Sequence, residues 1–178
     1  NGDGVLQYVI LQGNVAQQNA IYRTNAIHDL MDQWNEDGTM PNGQLDIQDG
    51  NWTSEQGRNV MDTWNVRFGD QIEAVLCNND TMALGVVEAV KSSGKDILVV
   101  GVDGIGEAYD SIRRGELDAT IDSFPFYKAQ IAGEVMLRRL GGQEIPRVLW
   151  TPQALIDSEN VDKPAEEIIG WTDPVYAK

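Results

Sequence analysis

The sequence predicts an α/β fold, a doubly wound parallel sheet with helices on both faces. Two observations carry this expectation. Short apolar runs of strand length alternate with longer amphipathic stretches of helical period. Such alternation builds βαβ units, whose crossover helices cover a parallel sheet. Polar residues also recur directly after the apolar runs, at the carboxyl ends of strands, where open α/β sheets bind ligands.

The elements follow in order. Residues 5–11 read as a strand, closed by a polar loop at Gly13-Asn14, and residues 19–36 as a helix. Asp37-Gly38 and Pro41-Asn42-Gly43 punctuate the chain before a short strand at 44–48. Thr53-Ser54-Glu55-Gln56 supplies polar and acidic first-turn chemistry for a helix whose apolar content includes Met61, Trp64 and Val66. Residues 72–77 form a strand, and Asp80 is expected to cap a helix with Met82, Val86 and Val90 on its apolar face. A strand at 97–102, a helix at 106–114, a strand at 117–121 and a helix at 127–140 follow, the last ended by Gly141-Gly142. Residues 147–156 read as an extended edge segment, and Pro164 opens a short terminal helix.

Composition narrows the function. A formal net charge of −15 argues against nucleic-acid binding, which needs a basic surface. No apolar run reaches the roughly 18–20 residues of a membrane span. The polar start Asn1-Gly2-Asp3-Gly4 holds no signal peptide, a segment that secreted proteins lose on export. Cys77 is the single cysteine, so no internal disulfide forms, and it sits in an apolar run as a core residue would. The one histidine, His28, falls inside a helical pattern and makes no catalytic pair with Cys77. Enzyme signatures are missing too. Gly13-Asn14-Val15-Ala16 is not a dinucleotide fingerprint, Gly101, Gly104 and Gly106 are wrongly spaced for one, and there is no P-loop or G-x-S-x-G. The chain is therefore expected not to be an enzyme.

The strand ends carry Gln17-Gln18-Asn19 and Arg23; Asn51-Trp52; Asn78-Asn79-Asp80; Asp103; and Asp122-Ser123, of which Gln17, Asn19, Arg23, Trp52, Asn79, Asp103 and Ser123 are the candidate contacts. Singly, Asn79 suits a helix cap, Asp103-Gly104 a turn, Trp52 a core and Arg23 a solvated helix face. Together they make the mixture a sugar needs. An indole stacks on pyranose C–H faces, a carboxylate accepts hydroxyl protons, a guanidinium donates, and amides do both.

Asn1-Gly2-Asp3-Gly4-Val5-Leu6-Gln7 has oxygen groups at the alternate spacing of a calcium loop, but Ile10 stands where an EF-hand needs its last ligand. A polar turn before a strand accounts for the same residues. This loop, with Asn78-Asn79-Asp80-Thr81-Met82-Ala83-Leu84-Gly85, Gly101-Val102-Asp103 and Ile156-Asp157-Ser158-Glu159-Asn160-Val161, resembles the bacterial galactose/glucose-binding proteins, type I periplasmic sugar receptors of ABC transport. The resemblance runs from residue 1 to about residue 163.

The resemblance implies a flavodoxin-like lobe of the type I periplasmic-binding-protein class. Residues 1–123 would be the carboxyl-terminal lobe, 124–156 a segment packing on a missing amino-terminal lobe, and 157–178 the return and tail. It implies an extracytoplasmic receptor, periplasmic or lipid-tethered, that binds a monosaccharide and delivers it to an ABC permease, with a chemotactic role open. Asn79, Asp103, Arg23 and Trp52 match the family's sugar contacts, whereas Asn19 replaces an aspartate, Gln17 a histidine and Ser123 an asparagine. These three departures leave the choice of sugar open. Calcium would be held by Asn1, Asp3, the Val5 carbonyl, Gln7 and Glu73, without the family's first ligand. With half of the clamp missing, residues 124–155 are expected to pair with another chain as a fragment dimer. The effector domain of a lactose-repressor-type regulator is the alternative reading.

Overall fold

The computed structural model describes residues 4–169. Its first strand, β1 (Leu6–Gln12), buries Tyr8, Val9, Ile10 and Leu11 in succession, as a strand covered on both faces must. Helix α1 (Gln18–Glu36) leads to β2 (Asn42–Asp49). Helix α2 (Ser54–Phe68) starts at Thr53, whose hydroxyl accepts the Gln56 N–H, and stops at Gly69. Then come β3 (Ala74–Cys77), α3 (Asp80–Ser93), β4 (Leu98–Asp103), α4 (Gly106–Arg113) and β5 (Ala119–Asp122). Pro125 opens α5 (Pro125–Leu140), and the chain returns through β6 (Ala154–Asp157) to α6 (Ala165–Ile169).

The strands form one sheet in the order β2-β1-β3-β4-β5-β6. All pairings from β2 to β5 are parallel, and β6 lies antiparallel on the outer edge of β5. On one face Val9, Leu11, Val75, Cys77 and Val99 join Met61 and Trp64 of α2, Met82, Val86 and Val90 of α3 and Ile112 of α4 in the main core. On the other face Tyr8, Ile10 and Ala74 pack with Met31 of α1, and Ile27, Trp34 and Leu76 lie against this smaller cluster.

The structure refines several expectations. Asn79, not Asp80, is the N-cap of α3: its side-chain oxygen accepts the Met82 N–H at 3.0 Å. Asp80 is the first helical residue and is completely buried. Val66 points to water at 89% exposure, so α2 packs chiefly through Met61 and Trp64, with Gly57, Val60 and Phe68 beside them. The edge segment shortens to β6, because only Ala154–Asp157 reach a partner in β5. Helix α5 is anchored by Phe124 just before it and by Ile131; Phe126, Met136, Leu137 and Leu140 are exposed and Val135 is half-buried.

Candidate functional site

The carboxyl ends of the strands carry the molecule's backbone strain. Among the described residues, the non-glycine residues with positive φ are Asn51 (46°) and Trp52 (64°) after β2, Asp103 (124°) at the end of β4 and Phe124 (47°) after β5. Such conformations cost energy and persist where the surroundings over-determine them, often at ligand sites.

Asn51 and Trp52 turn the chain so that the indole lies against Gly13. A Cβ there would meet the Trp52 ring at 2.1 Å, so only glycine leaves room. From Trp52 a continuous polar chain crosses the sheet edge. The Trp52 Nε1–H donates to Gln17 Oε1 at 2.7 Å. The Arg23 guanidinium lies over the Trp52 ring, 5.9 Å from its centre. Arg23 Nη2 donates to Asp103 Oδ1 at 2.7 Å, and Nη1 to the carbonyl of Asn78 at 2.5 Å. Four of the anticipated sugar contacts, Gln17, Trp52, Arg23 and Asp103, are thus joined contact by contact, although they are as far apart in sequence as residues 17 and 103.

Asn79 lies beside Asn78 at the end of β3, nearly buried and engaged as the α3 cap. Ser123 shares with Arg23 and Asn78 a cleft of about 330 Å³ that Lys128 and Gln153 also line. Asn19 is exposed in the first turn of α1, and among the described residues no hydrogen bond ties it to the others. Asn1 and Asp3 lie outside the described residues. Of the remaining metal candidates, Val5 and Gln7 lie at the start of β1, and Glu73 Oε2 accepts the Gln7 N–H at 2.9 Å. That bond holds the Glu73 carboxyl below its ordinary value. Among the described residues no three His, Cys, Asp or Glu side chains gather as a metal cluster.

Sequence reasoning places Asn78 and Asp122 at the strand ends without giving them a role, and the structure makes them the supports of this edge. Asn78 is buried, and its amide donates to the Ala20 carbonyl and the Thr24 hydroxyl, locking α1 onto β3. Asp122 is also buried and accepts the Tyr109 hydroxyl at 2.8 Å and the Phe124 N–H at 2.6 Å. Both belong to the polar strand-end groups the sequence displays, but burial is the property that separates support from contact.

Residues 1–144 match the family model described as a periplasmic binding protein domain. The chain is 27% identical over 165 residues to a putative rhizopine-binding protein of Rhizobium meliloti, covering 89% of this chain and 51% of the relative. It is 35% identical over 122 residues to the D-galactose/methyl-galactoside binding periplasmic protein of Haemophilus influenzae, covering 68% of this chain and 36% of the relative. Among solved structures, an ABC transporter periplasmic solute binding protein of Actinobacillus succinogenes with bound D-allose superposes with a TM-score of 0.79. It is 29% identical, and the match covers 87% of this chain and 53% of that one. The chain thus spans about half, or less, of the length of these proteins.

Proposed function

The chain belongs to the periplasmic binding protein family, and from that premise we propose that it is one lobe of an extracytoplasmic receptor that captures a monosaccharide for ABC-type uptake. The observation that carries this reading is the joined run Gln17–Trp52–Arg23–Asp103 at the carboxyl edge of the sheet. The indole offers an apolar face to a sugar ring, Asp103 accepts hydroxyl protons, and Arg23 donates to hydroxyl or ring oxygens. Asn79, which matches the family's pattern, and Asn19 and Ser123, which depart from it, would complete the wall. Because the matched relatives are about twice as long, the opposite wall would come from a second lobe.

Calorimetry on the receptor at the full length of its relatives, with D-galactose and D-allose, tests this. Asp103→Ala removes charge-assisted hydroxyl contacts, each worth about 1.5–3 kcal/mol, so affinity falls at least about tenfold. An unchanged affinity overturns the role of Asp103.

Two further parts belong to this reading. Calcium would be bound by Asn1, Asp3, the Val5 carbonyl, Gln7 and Glu73. The support is that the Glu73 carboxylate meets the start of β1 at Gln7. Terbium luminescence that survives Glu73→Ala unchanged removes Glu73 from the set. Of residues 124–156, Phe124, Ile131 and β6 are held in this lobe, which corrects the expected boundary; the exposed side chains Met136, Leu137, Leu140 and Trp150 would face the second lobe. Light scattering of the 178-residue chain tests whether that surface pairs two copies when the lobe is missing.

A further inference from the structure

We infer that Asp80 is the positioning residue that holds Asp103 in its ligand-facing conformation; the role of Asp103 itself rests on the sugar-receptor reading. Asp103 has φ 124° and the next residue, Gly104, has φ 75°. A side-chain-bearing residue at such a φ relaxes unless its neighbours fix the backbone. The fixing group here is a single carboxylate. Asp80 Oδ2 accepts the N–H of Gly104 at 2.7 Å and that of Ile105 at 3.0 Å. Asp80 Oδ1 accepts the Thr120 hydroxyl of β5 at 2.6 Å. One side chain therefore ties the first turn of α3 to the loop after β4 and to the adjacent strand.

The surroundings are shaped for it. A Cβ on Gly101 would come within 2.2 Å of Asp80 Oδ1, and one on Gly104 within 2.3 Å of Asp122 Cγ. The two glycines let one carboxylate approach the loop from each side. A fully buried carboxylate is costly unless its oxygens are satisfied. Among the described residues none of the ion pairs involves Asp80; backbone N–H groups and a hydroxyl satisfy it instead. Helix capping does not explain it either, since Asn79 already caps α3. What Asp80 adds is a fixed loop, and the next side chain along that loop is Asp103, in contact with Arg23.

The test begins with amide hydrogen exchange of Gly104 and Ile105 by NMR in the 178-residue chain. Asp80→Ala speeds exchange at these two amides about tenfold, the loss of one good hydrogen bond each, while the rest of α3 and β4 keeps its rates. Asp80→Asn restores slow exchange: its carbonyl oxygen keeps both N–H bonds, and its amide donates to the Thr120 hydroxyl. Where Asp80→Ala does not fold, Thr120→Val frees the same carboxylate and speeds the same two amides, and Thr120→Ser reverses this. Unchanged exchange at Gly104 and Ile105, or a rise spread evenly over α3, overturns the inference. In the full-length receptor, Asp80→Ala weakens D-galactose or D-allose binding about tenfold and Asp80→Asn does not. Fast amides with undiminished affinity also overturn it. If the unaltered receptor binds neither sugar, the functional reading fails, and the amide result still decides whether Asp80 fixes the loop.

Discussion

The two faces of the sheet are filled unequally. Under α2, α3 and α4 the strands meet a continuous core that includes Trp64, Met82, Val86 and Ile112, each almost fully buried. On the opposite face α1 packs its apolar side chains on Tyr8, Ile10 and Ala74 of β1 and β3, and beyond them its Arg23 reaches Asp103 of β4. The register puts Leu76 beside Val100, Val102 beside Ile121 and Ile121 beside Leu155, so these side chains continue the α1 face across β4, β5 and β6. There Leu98 is 51% exposed and Leu155 49%, with Val100, Val102 and Ile121 half-buried. Parallel sheets are covered on both faces in stable proteins. Among the described residues, the difference teaches that α2, α3 and α4 close one face, whereas the α1 face leaves an apolar strip open over β4, β5 and β6. This agrees with a chain that spans about half of its relatives.

Substitutions matched across the faces test that contrast. Trp64→Ala on the closed face is expected to cost about 3–5 kcal/mol in urea melts, from lost packing and a cavity. It also frees Asp46, which accepts the Trp64 Nε1–H at 2.9 Å. A cost no larger than that of an exposed position breaks the contrast. Ile10→Ala, on the sealed part of the α1 face, is expected to cost about 2–4 kcal/mol, since Ile10 is fully buried. A value near zero would mean that α1 does not seal even β1. Leu98→Ser, on the open strip, is expected to change stability by no more than about 0.5 kcal/mol. Paired with Leu155→Ser it lowers binding of an apolar dye. Loss of several kcal/mol at Leu98 would show that the strip is covered after all.

Much of the fold was legible because buried parallel strands and amphipathic helices write different periods into the chain. The run at residues 5–11 and the helix with Met82, Val86 and Val90 needed no tertiary knowledge. The direction of β6 did require it. Leu155 and Ile156 pair with Ile121 and Thr120 across a long excursion, and no local signal encodes a return. Which of Asn79 and Asp80 caps α3 was ambiguous, as both are good cap residues; the structure gives the cap to Asn79 and the interior to Asp80. At the site, the residue types at the strand ends were legible and their joining was not. Trp52 reaches Gly13 through a positive φ that its sequence does not announce, and Asn19 stays apart because it lies on the exposed side of the first turn of α1, where Ala20 takes the buried side. The thiol of Cys77 read correctly as core, and burial pushes it far above its ordinary value, so it is inert in the folded chain.

The late pairing of β6 has a consequence on the ribosome. Strands β1 to β5 can assemble in the order they emerge, each new strand finding a partner already made. The outer edge of β5 then waits while α5 and the following loop are synthesised, because Ala154–Asp157 is the segment that covers it. At about 5–20 residues per second, those roughly 30 residues take a few seconds. For that interval the nascent chain displays an unpaired strand edge beside the apolar strip of β4 and β5, the combination to which chaperones and stray strands bind. Slowing translation across residues 125–153 would lengthen that interval and raise aggregation of new chains without changing the stability of finished ones.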